Sequence, residues 1–273
     1  MGGFKIRVLS SVVLVILLGS ALWVGGPYLW LLLLFASMVG LFEFYRAVRV
    51  QGLRQKKRPD LLEAVGYAAC FFYYVVLYQG GKERELLYVI VASLILMMVA
   101  YVLKFPDFNS NQVFQAFFGI IYVCVMLSFV YLTRMEEGGR STVWMIFIGS
   151  WVSDTFAYLV GILIGKHKLA PKLSPKKSVE GAIGGVAGAA LAGLLFGHFW
   201  GTEGLAWAYF LMGAIGSVIS QIGDLTASAI KRNHDIKDYG TLIPGQGGIL
   251  DRFDSVIIMA PVVYILSQLM FNA

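Results

Sequence analysis

The chain has 273 residues, of which 58% are hydrophobic and only 14% charged, and its mean hydropathy is +0.74. Soluble domains are about 45–50% apolar and about 25% charged, so the excess apolar surface must face lipid and a soluble globular domain is excluded. The formal net charge is +6, but the basic residues lie in loops between apolar runs instead of forming one patch, which argues against nucleic acid as a partner.

Taken in chain order, nine stretches have the length of a bilayer span. They are 8–25, 27–45, 61–79, 86–103, 113–133, 142–165, 181–200, 205–223 and 249–270. Only Gly25-Gly26-Pro27 separates the first two, and that tripeptide reads as a tight turn. The first stretch is not expected to be a cleaved signal, because no A-x-A-like site follows it and another apolar run begins at once. The first five spans carry almost no ionisable residue at depth. Glu43 is the exception, with Arg46 one turn later as its expected partner. Cys70 and Cys124 fall inside spans without metal spacing and read as small buried hydrophobes, with no disulfide expected. In spans six and seven, Gly161 and Gly165, then Gly181, Gly184, Gly185 and Gly188, form small-xxx-small faces that let helices approach closely.

The loops then sort by charge. Of 22 basic residues, only Lys82, Arg84, Arg134 and Arg140 fall on the side away from the N-terminus. The N-terminal side holds Lys5, Arg7, the run from Arg46 through Arg54, Lys56, Lys57 and Arg58, and the later lysine loops. By the positive-inside rule the N-terminus is cytoplasmic and the C-terminus outside. The expected fold class is thus an all-α polytopic integral membrane protein of about nine transmembrane helices. Residues 1–140 read as a scaffold of about five helices. Residues 141–273 read as a catalytic region of about four, with cytoplasmic loops 166–180 and 231–248.

Three constellations in the second half carry chemistry. Ser217, Ser220, Gln221, Asp224, Ser228 and Lys231 share one helical face. Such a stripe cannot face lipid, because an acid at depth costs at least about 2.5–3.5 kcal/mol on insertion scales. It reads either as an interhelical hydrogen-bond network or as the wall of a wet cavity. Asp251 and Asp254 lie one turn apart at the head of span nine. Acids there also complement the helix dipole, but two of them beside Asp224 suit a divalent cation of the Mg²⁺ type, which takes one or two carboxylates together with substrate phosphates. Finally, Asp154 lies deep in span six and is followed by the lysine-rich "KHKLAPKLSPKKSVEG". Those lysines read either as anchors to anionic lipid or as phosphate ligands beside a helix start. Glu180 is expected to answer Lys176 or Lys177, or to cap the helix. His167, His198 and His234 show no ligand-like partner. No Ser-His-Asp grouping and no Walker A motif is present. Acids for a metal, cations for phosphate and glycines for close approach are the equipment of transfer at phosphorus.

The stretch Ser228–Asp254, "SAIKRNHDIKDYGTLIPGQGGILDRFD", resembles the signature of the phosphatidate cytidylyltransferases. Ser228, Lys231, Arg232, Lys237, Asp238, Gly240, Pro244, Gly247, Gly248, Asp251, Arg252 and Asp254 match it. "SDTFAYLVG" and "LSPKKSVEG" also look like this family. Gln246 departs from the pattern, which has histidine there; a glutamine can donate a hydrogen bond but cannot carry a proton. The resemblance implies transfer of the cytidylyl group of CTP to phosphatidate with release of pyrophosphate. It implies Asp224, Asp251 and Asp254 as Mg²⁺ ligands, with K⁺ as a possible second metal. Asp224, Lys231, Arg232, Asp251 and Arg252 would form the catalytic set. Ser174, Lys176, Lys177, Ser228, Lys237, Gln246, Gly247 and Gly248 would contact substrate. A homodimer is implied too, and the glycine faces of spans six and seven are compatible with one. The competing expectations are a CTP-dependent polyprenol kinase, which would need a base for a neutral hydroxyl, and a cation-coupled transporter, which would need access from both faces.

Overall fold

A computed structural model describes residues 2–51 and 59–271, with side chains from residue 6 onward. Arg54, Lys56, Lys57, Arg58 and the side chain of Lys5 therefore lie outside the described residues. Within them, nine helices are long and apolar enough to cross a membrane. They are α1 (Gly2–Val24), α2 (Gly26–Ala47), α3 (Leu61–Tyr78), α4 (Glu83–Leu103), α5 (Ser110–Met135), α6 (Gly139–Ile164), α7 (Val179–Trp200), α8 (Ala206–Asn233) and α9 (Leu250–Phe271). The expected spans match these within a few residues, with one exception. α8 runs past residue 223 to Asn233, because its last turns are amphipathic: hydropathy falls away while the helical period continues.

The helix boundaries follow local chemistry. Gly25 and Gly26 both take positive φ, at 71° and 52°, so the turn between α1 and α2 needs residues without a Cβ. Asp60 caps α3: its side chain accepts the Glu63 N–H at 2.9 Å, and the Glu63 carboxylate accepts the Asp60 N–H at 3.3 Å. Two helices are locally underwound. α5 contains a π-helical stretch at Ile120–Val125 and α6 another at Ile148–Val152; such stretches are frequent at functional sites.

One element departs from the all-α expectation. Lys168–Ala170 (β1) and Ser174–Ser178 (β2) pair as an antiparallel hairpin between α6 and α7. The lysine-rich "SPKKS" is therefore a strand, and Ser178 at its end caps α7 by accepting the Gly181 N–H at 3.2 Å.

The chain forms two compact units. The first comprises Met1–Ala21, Gly26–Ser128 and Ile236–Asp251; the second comprises Leu22–Gly25, Phe129–Asp235 and Arg252–Ala273. The units do not follow a single cut near residue 140, because the glycine-rich loop 236–251 belongs with the early helices. The core of the first unit is built around buried tyrosines. The Tyr45 hydroxyl donates to the Ala116 carbonyl at 2.8 Å, and Tyr74 bonds Ser37 at 2.7 Å. Cys70 and Cys124 are free thiols buried here, as expected. In the second unit α7 packs between α6 and α8. A Cβ on Gly181 would lie 2.6 Å from the Ala157 carbonyl oxygen, and one on Gly213 would lie 2.3 Å from that of Ala189. The glycines of spans six and seven thus serve close packing inside the chain.

Candidate active site

The second unit gathers charge from four elements. Asp224, on α8, forms an ion pair with Lys177, on β2. Asp154, on α6, lies within the field of Lys177, Asp224 and Arg252. Asp254, on α9, lies within the field of Asp224, Lys231 and Asp154. Three carboxylates and three cations therefore interleave in one neighbourhood. Asp154 is exposed, and an exposed acid in a spanning helix has to meet water, because lipid would not tolerate it. The other members are more enclosed: Lys177 and Asp224 are half-buried and Lys231 is buried.

Deeper along α8 the same stripe has a different character. Ser217 and Ser153 bond hydroxyl to hydroxyl at 2.7 Å, and Gln221 Nε2 donates to the Ala182 carbonyl at 3.1 Å. Ser217, Ser220 and Gln221 are buried. The polar stripe thus splits into a buried interhelical network at Ser217 and Gln221 and a charged end, where Asp224 is half-buried and Lys231 buried.

Among the described residues, no three His, Cys, Asp or Glu side chains stand close enough to form a ready-made metal cage. Mg²⁺ needs less than such a cage: it keeps waters and completes its shell with substrate phosphates, using only one or two carboxylates. Asp224 and Asp254, on facing helices with like charges in mutual reach, fit that role, because a cation between them would offset their repulsion.

The first unit holds the rest of the expected residues in loop 236–251. Asp251 is buried, and its Oδ2 accepts the N–H groups of Tyr239 at 2.8 Å and Gly248 at 3.0 Å. Gly247 takes φ of 91°, and the turn closes with the Gln246 N–H on the Ile243 carbonyl at 2.9 Å. Lys237 is exposed. The Gln246 amide donates to the Arg7 carbonyl at 2.6 Å and also to the Ser11 hydroxyl. The residue that departs from the expected histidine therefore ties the loop to α1.

A model of the cytidylyltransferase family matches residues 5–270. The chain belongs to the cytidylyltransferase family. It is similar to the phosphatidate cytidylyltransferase of Staphylococcus epidermidis strain RP62A, with 30% identity over 263 residues, 96% of this chain and 98% of the relative. The enzyme of the same name from Staphylococcus aureus strain COL is 31% identical over 262 residues, again 96% of this chain and 98% of the relative. That of Staphylococcus saprophyticus gives the same identity and coverage.

As a cytidylyltransferase the chain is a membrane-spanning nucleotidyltransferase, and the site residues expected from its sequence can be sorted by where they lie. The second unit brings together Asp224, Lys231, Arg252, Asp254 and Lys177. Ser228 and Arg232 lie on the same last turns of α8 as Lys231, and Ser174 and Lys176 on the same strand as Lys177. Asp251, Lys237, Gln246, Gly247 and Gly248 belong to the first unit. Asp154, which is not in the catalytic or metal set that the resemblance implies, stands in the charged cluster.

Two expected pairings differ in the structure. Glu180 answers neither Lys176 nor Lys177: its carboxylate takes the His167 ring Nδ1 at 2.6 Å and the Lys166 N–H at 3.1 Å, because the hairpin folds the start of α7 back onto residues 166 and 167. His167 thereby has a partner, where none was expected. Glu43, in turn, is held by main-chain N–H groups of Ile249 and Leu250, while the Arg46 guanidinium lies over the Phe42 ring at 5.5 Å. A backbone donor leaves no residue-type signal, so the sequence could not disclose this pairing.

Proposed function

We propose that this cytidylyltransferase joins CTP to phosphatidate, giving CDP-diacylglycerol and pyrophosphate. The observation that carries the reading is the interleaved cluster of Asp154, Asp224 and Asp254 with Lys177, Lys231 and Arg252. It supplies carboxylates for a cation and cations for phosphates in a helical membrane protein, and the relatives' name supplies the lipid acceptor.

In this reading one non-bridging oxygen of the phosphatidate phosphate forms the new bond to the α-phosphorus of CTP. The bond from that phosphorus to the β-bridging oxygen breaks, and its electron pair leaves with pyrophosphate. The nucleophile is already anionic, so no general base is needed, and the absence of a histidine at position 246 removes nothing essential. Lys177, Lys231 and Arg252 neutralise the triphosphate and the charge growing on the leaving group, the largest contribution available to such a transfer. Asp224 and Asp254 would hold Mg²⁺, which when bound draws charge from the phosphate oxygens. Asp154 keeps Lys177 and Arg252 directed into the cluster. The basic loops set this face toward the cytoplasm, where CTP is dissolved.

The test is incubation of the purified chain in mixed micelles with phosphatidate, Mg²⁺ and CTP labelled at the α-phosphorus. Phosphatidate-dependent passage of label into the organic phase is the expected result. Label that passes only from the γ-phosphorus, and only onto a polyprenol, would replace this reading with a lipid kinase.

A further inference from the structure

We propose that Glu43, on α2, is a positioning residue for the nucleotidyl transfer, acting through the glycine-rich loop that carries Lys237, Gly247, Gly248 and Asp251; the kinetic part of this inference rests on the function proposed above.

Glu43 is 4% exposed. Its Oε1 accepts the Ile249 N–H at 3.1 Å, and its Oε2 accepts the Leu250 N–H at 2.8 Å. Those are donors at the start of α9, where a helix leaves its first N–H groups without an internal acceptor. An acid from a helix two hundred residues upstream therefore caps α9, favoured further by the positive end of the helix dipole. The loop is shaped to admit it. A Cβ on Gly240 would lie 2.2 Å from Glu43 Oε1, and one on Gly248 would lie 2.4 Å from both carboxylate oxygens. No other residue type fits at either position while the carboxylate stays in place.

Gly248 sits between two acids: its Cα faces Glu43, and its N–H donates to Asp251 Oδ2 at 3.0 Å. Glu43 and Asp251 lie within each other's field, so four backbone N–H groups, from Tyr239, Gly248, Ile249 and Leu250, compensate two carboxylates packed into one loop. Removing the Glu43 carboxylate would leave two buried donors unanswered and release the segment that sets Asp251. Glutamine at this position keeps the size but offers one acceptor oxygen in place of two.

The experiment uses the full chain in detergent with Glu43→Gln and Glu43→Asp, reading amide hydrogen exchange, the thermal unfolding midpoint and steady-state kinetics side by side. In Glu43→Gln the midpoint is expected to fall by only a few degrees as one buried donor loses its acceptor, exchange to rise within residues 239–250, and kcat to fall about 10- to 100-fold, the size of a small misplacement at a reacting centre, with KM for CTP little changed. Glu43→Asp keeps the charge with one methylene fewer and is expected to fall between the two. Exchange rising evenly through the first unit, or an equal loss of midpoint and activity, would make Glu43 an ordinary core residue and overturn the proposal. So would local exchange with wild-type kcat. If the wild type itself fails to label phosphatidate, the function reading falls, while the exchange pattern still decides whether Glu43 holds the loop.

Discussion

Lys177 and Asp224 form an ion pair that joins the hairpin to α8, each side chain 26% exposed. Lys177, expected to meet a phosphate, and Asp224, expected to meet a cation, thus neutralise each other. Asp224→Asn should therefore remove both an acid and the restraint on Lys177. We expect a loss of about 100-fold or more in kcat, the range for deleting one pre-organised electrostatic group, and a smaller loss for Lys177→Met. Label transfer from α-labelled CTP reads both.

The proposed function gives Asp254 and Asp154 different roles. Asp254→Asn should raise the Mg²⁺ concentration needed for half-maximal rate by about tenfold, as loss of one carboxylate ligand weakens a hard-cation site. Asp154→Asn should lower kcat at saturating Mg²⁺ and leave that midpoint in place. A Mg²⁺ titration of initial rates checks the pair; equal shifts in both variants would contradict the assignment.

Gln246 is engaged with the Arg7 carbonyl. Gln246→Ala should accordingly cost stability of about 1 kcal/mol, the usual net value of one hydrogen bond, and leave KM for CTP near wild type. Thermal unfolding in detergent together with a CTP saturation curve tests this. A large rise in KM with unchanged stability would return Gln246 to the substrate.

Gly213 has no room for a methyl group beside the Ala189 carbonyl. Gly213→Ala should push α7 and α8 apart and destabilise the second unit by about 1–3 kcal/mol, as overpacking does. The same substitution at Gly204, where nothing lies within 4 Å of a Cβ, is strained only by its φ of 76°, so the loss should be smaller. Unfolding midpoints of the two variants give the comparison.

The spanning helices were legible because lipid demands unbroken apolar runs of a fixed length, and Gly25-Gly26-Pro27 marked even the tightest turn. The charged cluster was legible in part, since Asp224 and Lys231 share one helical face and Asp254 stands at the head of the last span. Other features left no such trace. The hairpin is short, rich in lysine and interrupted by Pro171 and Pro175, so nothing in its composition announces a strand. The extension of α8 to Asn233 was visible only as a period of polar residues after the hydropathy had ended. The role of Glu43 depends on main-chain donors far along the chain, and its one sequence clue is a pair of glycines, Gly240 and Gly248, that have no turn angle to explain them.

The bonds of that loop also bear on how a nucleotide would be gripped. Many phosphate-binding proteins cradle the anion in bare main-chain amides at a helix start. Here the amides of Gly248, Ile249 and Leu250 already donate to carboxylates of the protein itself. Under the proposed function, recognition of the triphosphate would fall to lysine and arginine side chains, which act as point charges or forks more than as a fitted cradle. Affinity for CTP should then fall steeply as ionic strength rises, and the enzyme should tolerate changes in the phosphate chain more readily than changes in its total charge.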